Sequence, residues 1–112
     1  MAASCIKILT LSVVATAALT QYRAVTAAGA LPAAGARSLG VTDFAAPVGE
    51  RVSVGVLGTV IAEAGAAFAV DAALEVDAQG RFITKASGVA VARALTAAGA
   101  AGALAEILLI PN

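Results

Sequence analysis

A chain of 112 residues with seven Lys plus Arg, seven Asp plus Glu and no His carries a formal charge of zero, and charged residues make up only 12% of it. That balance leaves no basic excess for a phosphate backbone, so nucleic acid is not an expected partner. Without His the usual general base and the commonest zinc ligand are missing, and one domain of this size has room for one modest core.

The hydrophobic fraction is 61%, but Ala supplies much of it, and the large apolar side chains come in short groups. No run approaches the roughly twenty apolar residues that span a bilayer, so a membrane is not an expected partner either. Cys5 stands alone and offers no internal disulfide. A surface this poor in charge is weakly self-repelling and loses little when covered, which favours association with another protein or with further copies.

The first stretch, MAASCIKILTLSVVATAALT, carries one Lys ahead of an apolar run, as an export signal would. Thr10, Ser12 and Thr16 interrupt the run, however, and Leu9, Leu11 and Val13 alternate with polar neighbours at the period of a strand. A first strand is therefore expected there, followed by another around Tyr22 to Thr26. Gly29, Pro32 and Gly35 mark a loop, and Ser38 to Phe44 reads as a short strand.

After the turn AAPVGE comes the clearest alternation in the chain, with Val52, Val54 and Val56 on one face and Arg51, Ser53 and Gly55 on the other. Gly58 reads as a bend or bulge, beyond which Thr59 to Glu63 continues with its own phase. The Ala-rich segment after it allows one short helical turn or an irregular crossover. Asp77-Ala78-Gln79-Gly80 suits a type I turn closed by Gly in the left-handed region, joining Leu74–Val76 to Arg81–Thr84 as a hairpin. Strands at Val89–Leu95 and Leu104–Ile110 complete roughly eight at spacings of about ten residues, the pattern of a small barrel. Phe44, Phe68 and Phe82 are expected in its core, since a small domain needs its few aromatics.

No catalytic arrangement stands out. The serines sit in strand or turn contexts, none resembling a nucleophile elbow. Asp71, Glu75 and Asp77 lie in a turn and its flanks, where solvated carboxylates and turn hydrogen bonds are the ordinary explanation. No Gly-Lys-Ser/Thr ends a Gly-rich segment, so there is no phosphate loop. Lys85 lies beyond its hairpin rather than at the tip, unlike the lysine of lipoyl and biotinyl carriers. No catalytic, cofactor-binding or metal-ligating residue is assigned.

From Leu39 to Ile83 the chain reads LGVTDFAAPVGERVSVGVLGTVIAEAGAAFAVDAALEVDAQGRFI. This segment resembles the small capsid decoration, or cement, proteins of tailed bacteriophages, through Gly40-Val41, Gly49-Glu50, Val52, Val54, Gly58, Ala64-Gly65, Ala73-Leu74, Asp77 and Gly80-Arg81. One departure is Val70-Asp71-Ala72, where many relatives carry a Gly-Asp turn. The resemblance extends over nearly the whole chain, although its marks are turn glycines and apolar alternation. It implies an all-β fold, a compact β-barrel or β-clip-like domain over residues 8–112 with at most one short helix, preceded by an N-terminal arm of residues 1–7.

The same resemblance implies a protein without enzymatic activity or cofactor, made in the host cytoplasm and resident on the outer surface of the virion. There it binds the major capsid protein of the expanded icosahedral head and ties neighbouring capsomers together. It also implies self-association, homotrimers being favoured and dimers at twofold positions the alternative. We expect contacts with capsid or sister subunits from the arm, at Ala2, Ala3, Ser4, Cys5, Ile6 and Lys7, which can add a strand to an exposed edge. The Gly/Ala-rich loops 27–37 and 96–103 are the next expected contacts, with Leu31 and Pro32 at the centre of the first. Two other readings compete: a secreted or periplasmic β protein with a cleaved signal, whose mature mass would show the truncation, and a non-catalytic ligand-binding β module, which would carry a bound small molecule.

Overall fold

Alternating Val, Ala and Leu with glycines at short intervals gives strands that cannot run far before turning, and the computed structural model, which describes residues 5–112, contains eight. They are β1 (Lys7–Val14), β2 (Ala24–Val25), β3 (Gly40–Thr42), β4 (Arg51–Glu63), β5 (Ala73–Val76), β6 (Phe82–Thr84), β7 (Ala92–Ala94) and β8 (Leu104–Leu109). Every pairing between two of these strands is antiparallel, while an isolated bridge from Ala64, just past β4, to Phe82 of β6 is parallel. Seven strands follow the order β2-β3-β4-β8-β7-β5-β6, and β1 lies off this path, paired to β4.

The two ends of the path approach each other. The Ala24 N–H on β2 donates to the Gly80 carbonyl ahead of β6 at 2.7 Å, and the Gly65 N–H just past β4 donates to the Phe82 carbonyl at 2.8 Å. The result is an all-β, nearly closed antiparallel barrel. Closure matters because it leaves few unpaired strand edges. No helix occurs among the described residues. The segment expected to allow a helical turn instead forms turns around Phe68, which bridges to Ala98, because glycine at 65 and the left-handed Asp71 (φ 69°) break any helical run.

Two apolar clusters fill the interior. The larger gathers Val41, Val60, Phe68, Leu74, Val76, Phe82, Val91 and Ile107 inside the ring. The smaller packs Ala15, Leu19, Val25, Ala46, Val52, Val54 and Val56 beside the first half of β4. Each of the large side chains fully removed from water contributes about 1.5–3 kcal/mol relative to exposure. Phe68 and Phe82 are core residues as expected, but Phe44 is 45% exposed. It lies two residues past the end of β3, where the chain has already left the sheet to turn.

The long strand β4 serves both halves of the fold. Its Val54 and Gly55 pair with β1 on one edge and β3 on the other. Its end, Thr59–Glu63, pairs with β8. Between them sits Gly58 at φ +96°, opposite register shifts at Lys7/Leu9 and Leu9/Thr10 in β1. A Cβ at Gly58 would stand against the Ile6 carbonyl oxygen and 2.9 Å from Ile8 N, so only glycine permits β1 to lie this close. The expected hairpin is also present. Gly80 has φ +77°, and Asp77 Oδ1 accepts from the Gln79 and Arg81 amides, each at 2.9 Å.

Candidate functional site

An alternating strand normally buries one face, but β1 buries almost nothing. Ile6 is 67% and Ile8 79% exposed, while Leu9, Leu11 and Val14 are each more than two-fifths exposed. The cause is position: β1 is paired only to β4, outside the barrel ring, and no strand pairs with its outer edge among the described residues. Natural edge strands are usually guarded by charge, proline or strong irregularity. The only charge on β1 is Lys7, and its ammonium is held 2.6 Å from Asp43 Oδ1. Its stem crosses over Gly55 to reach that partner, and the hydrogen bond to Asp43 raises its pKa. Lys7 is thus committed to the fold.

Beside β1 runs an open, mainly apolar groove of about 760 Å³. It is lined by Leu9 and Leu11 of β1, Val56 and Leu57 of β4, Thr26, Ala27, Ala36 and Leu39 from the segment between β2 and β3, and Pro111. Arg37 stands at it, exposed, with no ion-pair partner among the described residues. Four of the other cations are engaged internally. Besides the Lys7 pair, Arg23 grips Glu63 with two nitrogens at 3.2 and 3.3 Å, Arg81 reaches Asp77 at 3.4 Å, and Arg93 reaches Asp71 at 2.9 Å. A second, smaller cavity of about 260 Å³ lies between Cys5, Lys7, Tyr22, Asp43 and Ile61. It is the space around the Lys7–Asp43 pair.

Away from β1, one carboxylate is used as a brace. Glu75 is buried and its Oε1 accepts the Ala86 N–H at 2.5 Å and the Gly88 N–H at 3.1 Å. Those two amides hold the Glu75 carboxyl below the ordinary carboxylate range. The loop it holds also docks on residue 35, through the Val89 N–H to the Gly35 carbonyl at 2.9 Å. This carboxylate is structural, in keeping with its turn context in the sequence.

The expected contact residues divide. Ala2, Ala3 and Ser4 lie outside the described residues. Cys5 is exposed, and Ile6 is exposed yet tied to β4, its N–H donating to Thr59 Oγ1 at 2.8 Å and its carbonyl accepting from Thr59 N–H at 2.9 Å. Leu31 is 37% exposed and sits against Gly80 at the β5–β6 turn, outside the lining of the groove that its neighbours Ala27, Ala36 and Arg37 help to form, while Pro32 is buried. Cys5, Ile6 and Lys7 are therefore brought together with β1, and Leu31 is not. The sequence reading missed the groove. Leu9 and Leu11 had the alternation of a half-buried strand, and only the topology shows that no layer covers them.

The described residues thus form an antiparallel barrel with one apolar strand and the groove beside it uncovered. The sequence matches the family model for phage cement protein over residues 4–109, and the chain belongs to that family, which is structural and non-enzymatic. It is accordingly a capsid-associated protein of a phage virion. Among solved structures it is similar to the N base of head fiber gp8.5 in bacteriophage phi29, with a TM-score of 0.70 and 16% identity over 91% of this chain and 93% of that one. At that identity the likeness is one of fold. No curated protein sequence matches it.

Proposed function

We propose that this cement protein binds the outer surface of the expanded icosahedral head and bridges neighbouring capsomers of the major capsid protein, strengthening the shell against the DNA packed inside. Membership of the cement family carries the reading. The surface supports it, because an apolar strand and groove whose one lysine is internally paired favours contact through burial rather than charge. The arm from Ala2 to Lys7 and the loops 27–37 and 96–103 are the segments offered to capsid or sister subunits, with Leu31 and Arg37 the large exposed side chains of the first loop.

Each copy holds the shell weakly, and the copies act together as a homotrimer at threefold and quasi-threefold positions. Once one subunit of a trimer is bound, the remaining contacts are intramolecular and gain from a high effective concentration. Sedimentation of the purified protein with expanded heads stripped of cement tests this. The protein is expected in the pellet, saturating at a fixed number of copies per head, and much less with unexpanded shells. A protein that stays in the supernatant with expanded heads would overturn the proposal.

A further inference from the structure

The two halves of the chain repeat one hydrogen-bonding plan. The Ala15 N–H donates to the Glu50 carbonyl and the Gly49 N–H to the Ala15 carbonyl, both at 2.8 Å, and in the second half Ala64 bonds in the same way to Ala103 and Gly102, again at 2.8 Å. Leu19 and Ala46 exchange a pair of backbone bonds, as Phe68 and Ala98 do. The positive φ angles recur in step, at Tyr22 (67°) and Asp71 (69°), Gly29 (82°) and Gly80 (77°), and Gly49 (91°) and Gly102 (87°). On this plan β1 is the counterpart of the end of β4, and the start of β4 is the counterpart of β8: Leu11 pairs with Val54 as Val60 pairs with Ile107.

The halves differ at one hairpin. Val25 and Leu74 hold the same place, their carbonyls accepting from the Leu39 N–H at 2.8 Å and the Val91 N–H at 2.9 Å, and the Gly29 N–H closes a turn on the Thr26 carbonyl as the Gly80 N–H does on Asp77. Thr26 follows Val25 directly, however, whereas Glu75 and Val76 separate Leu74 from Asp77. The second hairpin therefore has an outer rung that the first lacks, Val76 opposite Phe82, both fully buried. That rung shares the larger apolar cluster with Val60, Val91 and Leu109. Their counterparts Leu11, Leu39 and Val56 line the open groove instead. The groove is the seat of a missing hairpin rung.

We infer that an extended segment of the major capsid protein takes this seat, laying a large apolar side chain against Leu11, Leu39 and Val56 as Val76 and Phe82 cover the equivalent side chains of the other half. An apolar or aromatic anchor in a pocket is where interface energy concentrates. Charge narrows the partner further. The rung of the second half brings a carboxylate with it, Glu75, which accepts the Ala86 and Gly88 amides just ahead of Val89. Arg37 precedes Leu39 as Val89 precedes Val91, so a carboxylate carried by the same kind of rung would arrive beside Arg37. Arg37 has no ion-pair partner among the described residues. The inserted segment is therefore one with an Asp or Glu next to its apolar anchor. The inference rests on the proposed function for the identity of the partner, while the seat and its chemistry follow from the repeat.

The test uses the full chain and expanded heads stripped of cement. A photoreactive diazirine analogue of leucine at Leu11, close in size to the residue it replaces, is irradiated on the heads and the cross-linked peptides are read by mass spectrometry. The expected product joins position 11 to a capsid-protein segment holding a large apolar residue with Asp or Glu beside it. Ala27→Trp, which crowds the groove from an exposed position, and Arg37→Glu, which repels the carboxylate, should each raise the half-saturating concentration on heads about tenfold or more. Val48→Trp, at an exposed position outside the groove, should leave it unchanged. Circular dichroism on each variant confirms folding. Cross-links confined to this chain or to another copy of it, a captured capsid segment without an acidic residue, or unchanged binding by Ala27→Trp or Arg37→Glu overturns the inference and leaves the capsid role standing, since the wild type still pellets. A wild-type protein that does not pellet overturns that role and the inference with it.

Discussion

Gly58 is the position where the placement of β1 can be tested most cleanly. It has φ +96°, and an added Cβ would press on the Ile6 carbonyl and on Ile8 N, both backbone groups that cannot swing aside like a side-chain end. Gly49 provides the comparison. Its φ is +91°, yet nothing lies within 4 Å of its would-be Cβ. Gly49→Ala therefore incurs only the backbone strain of a non-glycine residue at positive φ, about 1–3 kcal/mol. Gly58→Ala incurs that strain and also forces residues 6 to 8 away from β4. It then loses the two hydrogen bonds joining Ile6 to Thr59, at about 0.5–1.5 kcal/mol each. Gly58→Ala should exceed Gly49→Ala by about 1–3 kcal/mol in urea denaturation. In thermal melts that is a further drop of at least about 4 °C for a domain of this size. Amide exchange should accelerate at Thr59 in Gly58→Ala alone. Equal destabilisation in the two variants, with Thr59 still protected, would refute the close packing of β1 on β4.

Other expectations follow from the interior. Phe82→Ala, at a side chain with no solvent exposure, should cost about 3–5 kcal/mol in denaturation. Phe44→Ala should shift the midpoint little, since that ring is already 45% exposed. Asp77→Ala removes the acceptor for the Gln79 and Arg81 amides and should cost about 1–2 kcal/mol, with faster exchange confined to that turn. The Glu75 clamp sets a pH dependence. Because its carboxyl is held below the ordinary range, its stabilisation is complete above the unfolded value and fades as pH falls through the lowered folded one. Protection of the Ala86 and Gly88 amides should therefore fall in acid for the wild type and vary less with pH in Glu75→Gln; identical profiles would show that the carboxylate is not what holds the loop.

The fold was legible where local chemistry decides it. Alternation at Val52, Val54 and Val56 placed the first half of β4, the break at Gly58 was visible as a glycine between two phases, and Asp77 to Gly80 announced its own turn. Strand ends were less legible because pairing, not propensity, terminates them: β2 keeps only Ala24–Val25 of a longer expected strand, and β7 only Ala92–Ala94. Phe44 was misplaced for the same reason. An aromatic beside a strand looks like core until the register shows the chain has turned away. The surface was least legible. Alternation tells which side chains of β1 share a face, but whether a second layer covers that face depends on which strands join the ring. Leu9 and Leu11 carry the same local signal as buried leucines and become a groove wall only because β1 lies outside the barrel.

Whether the protein cements the shell is measured most directly by the temperature at which DNA-filled heads lacking cement release their DNA, with and without saturating purified protein. Bridging between capsomers predicts a higher release temperature that rises with occupancy and levels off when the sites are full. Bound protein that leaves the release temperature unchanged would contradict a cementing role.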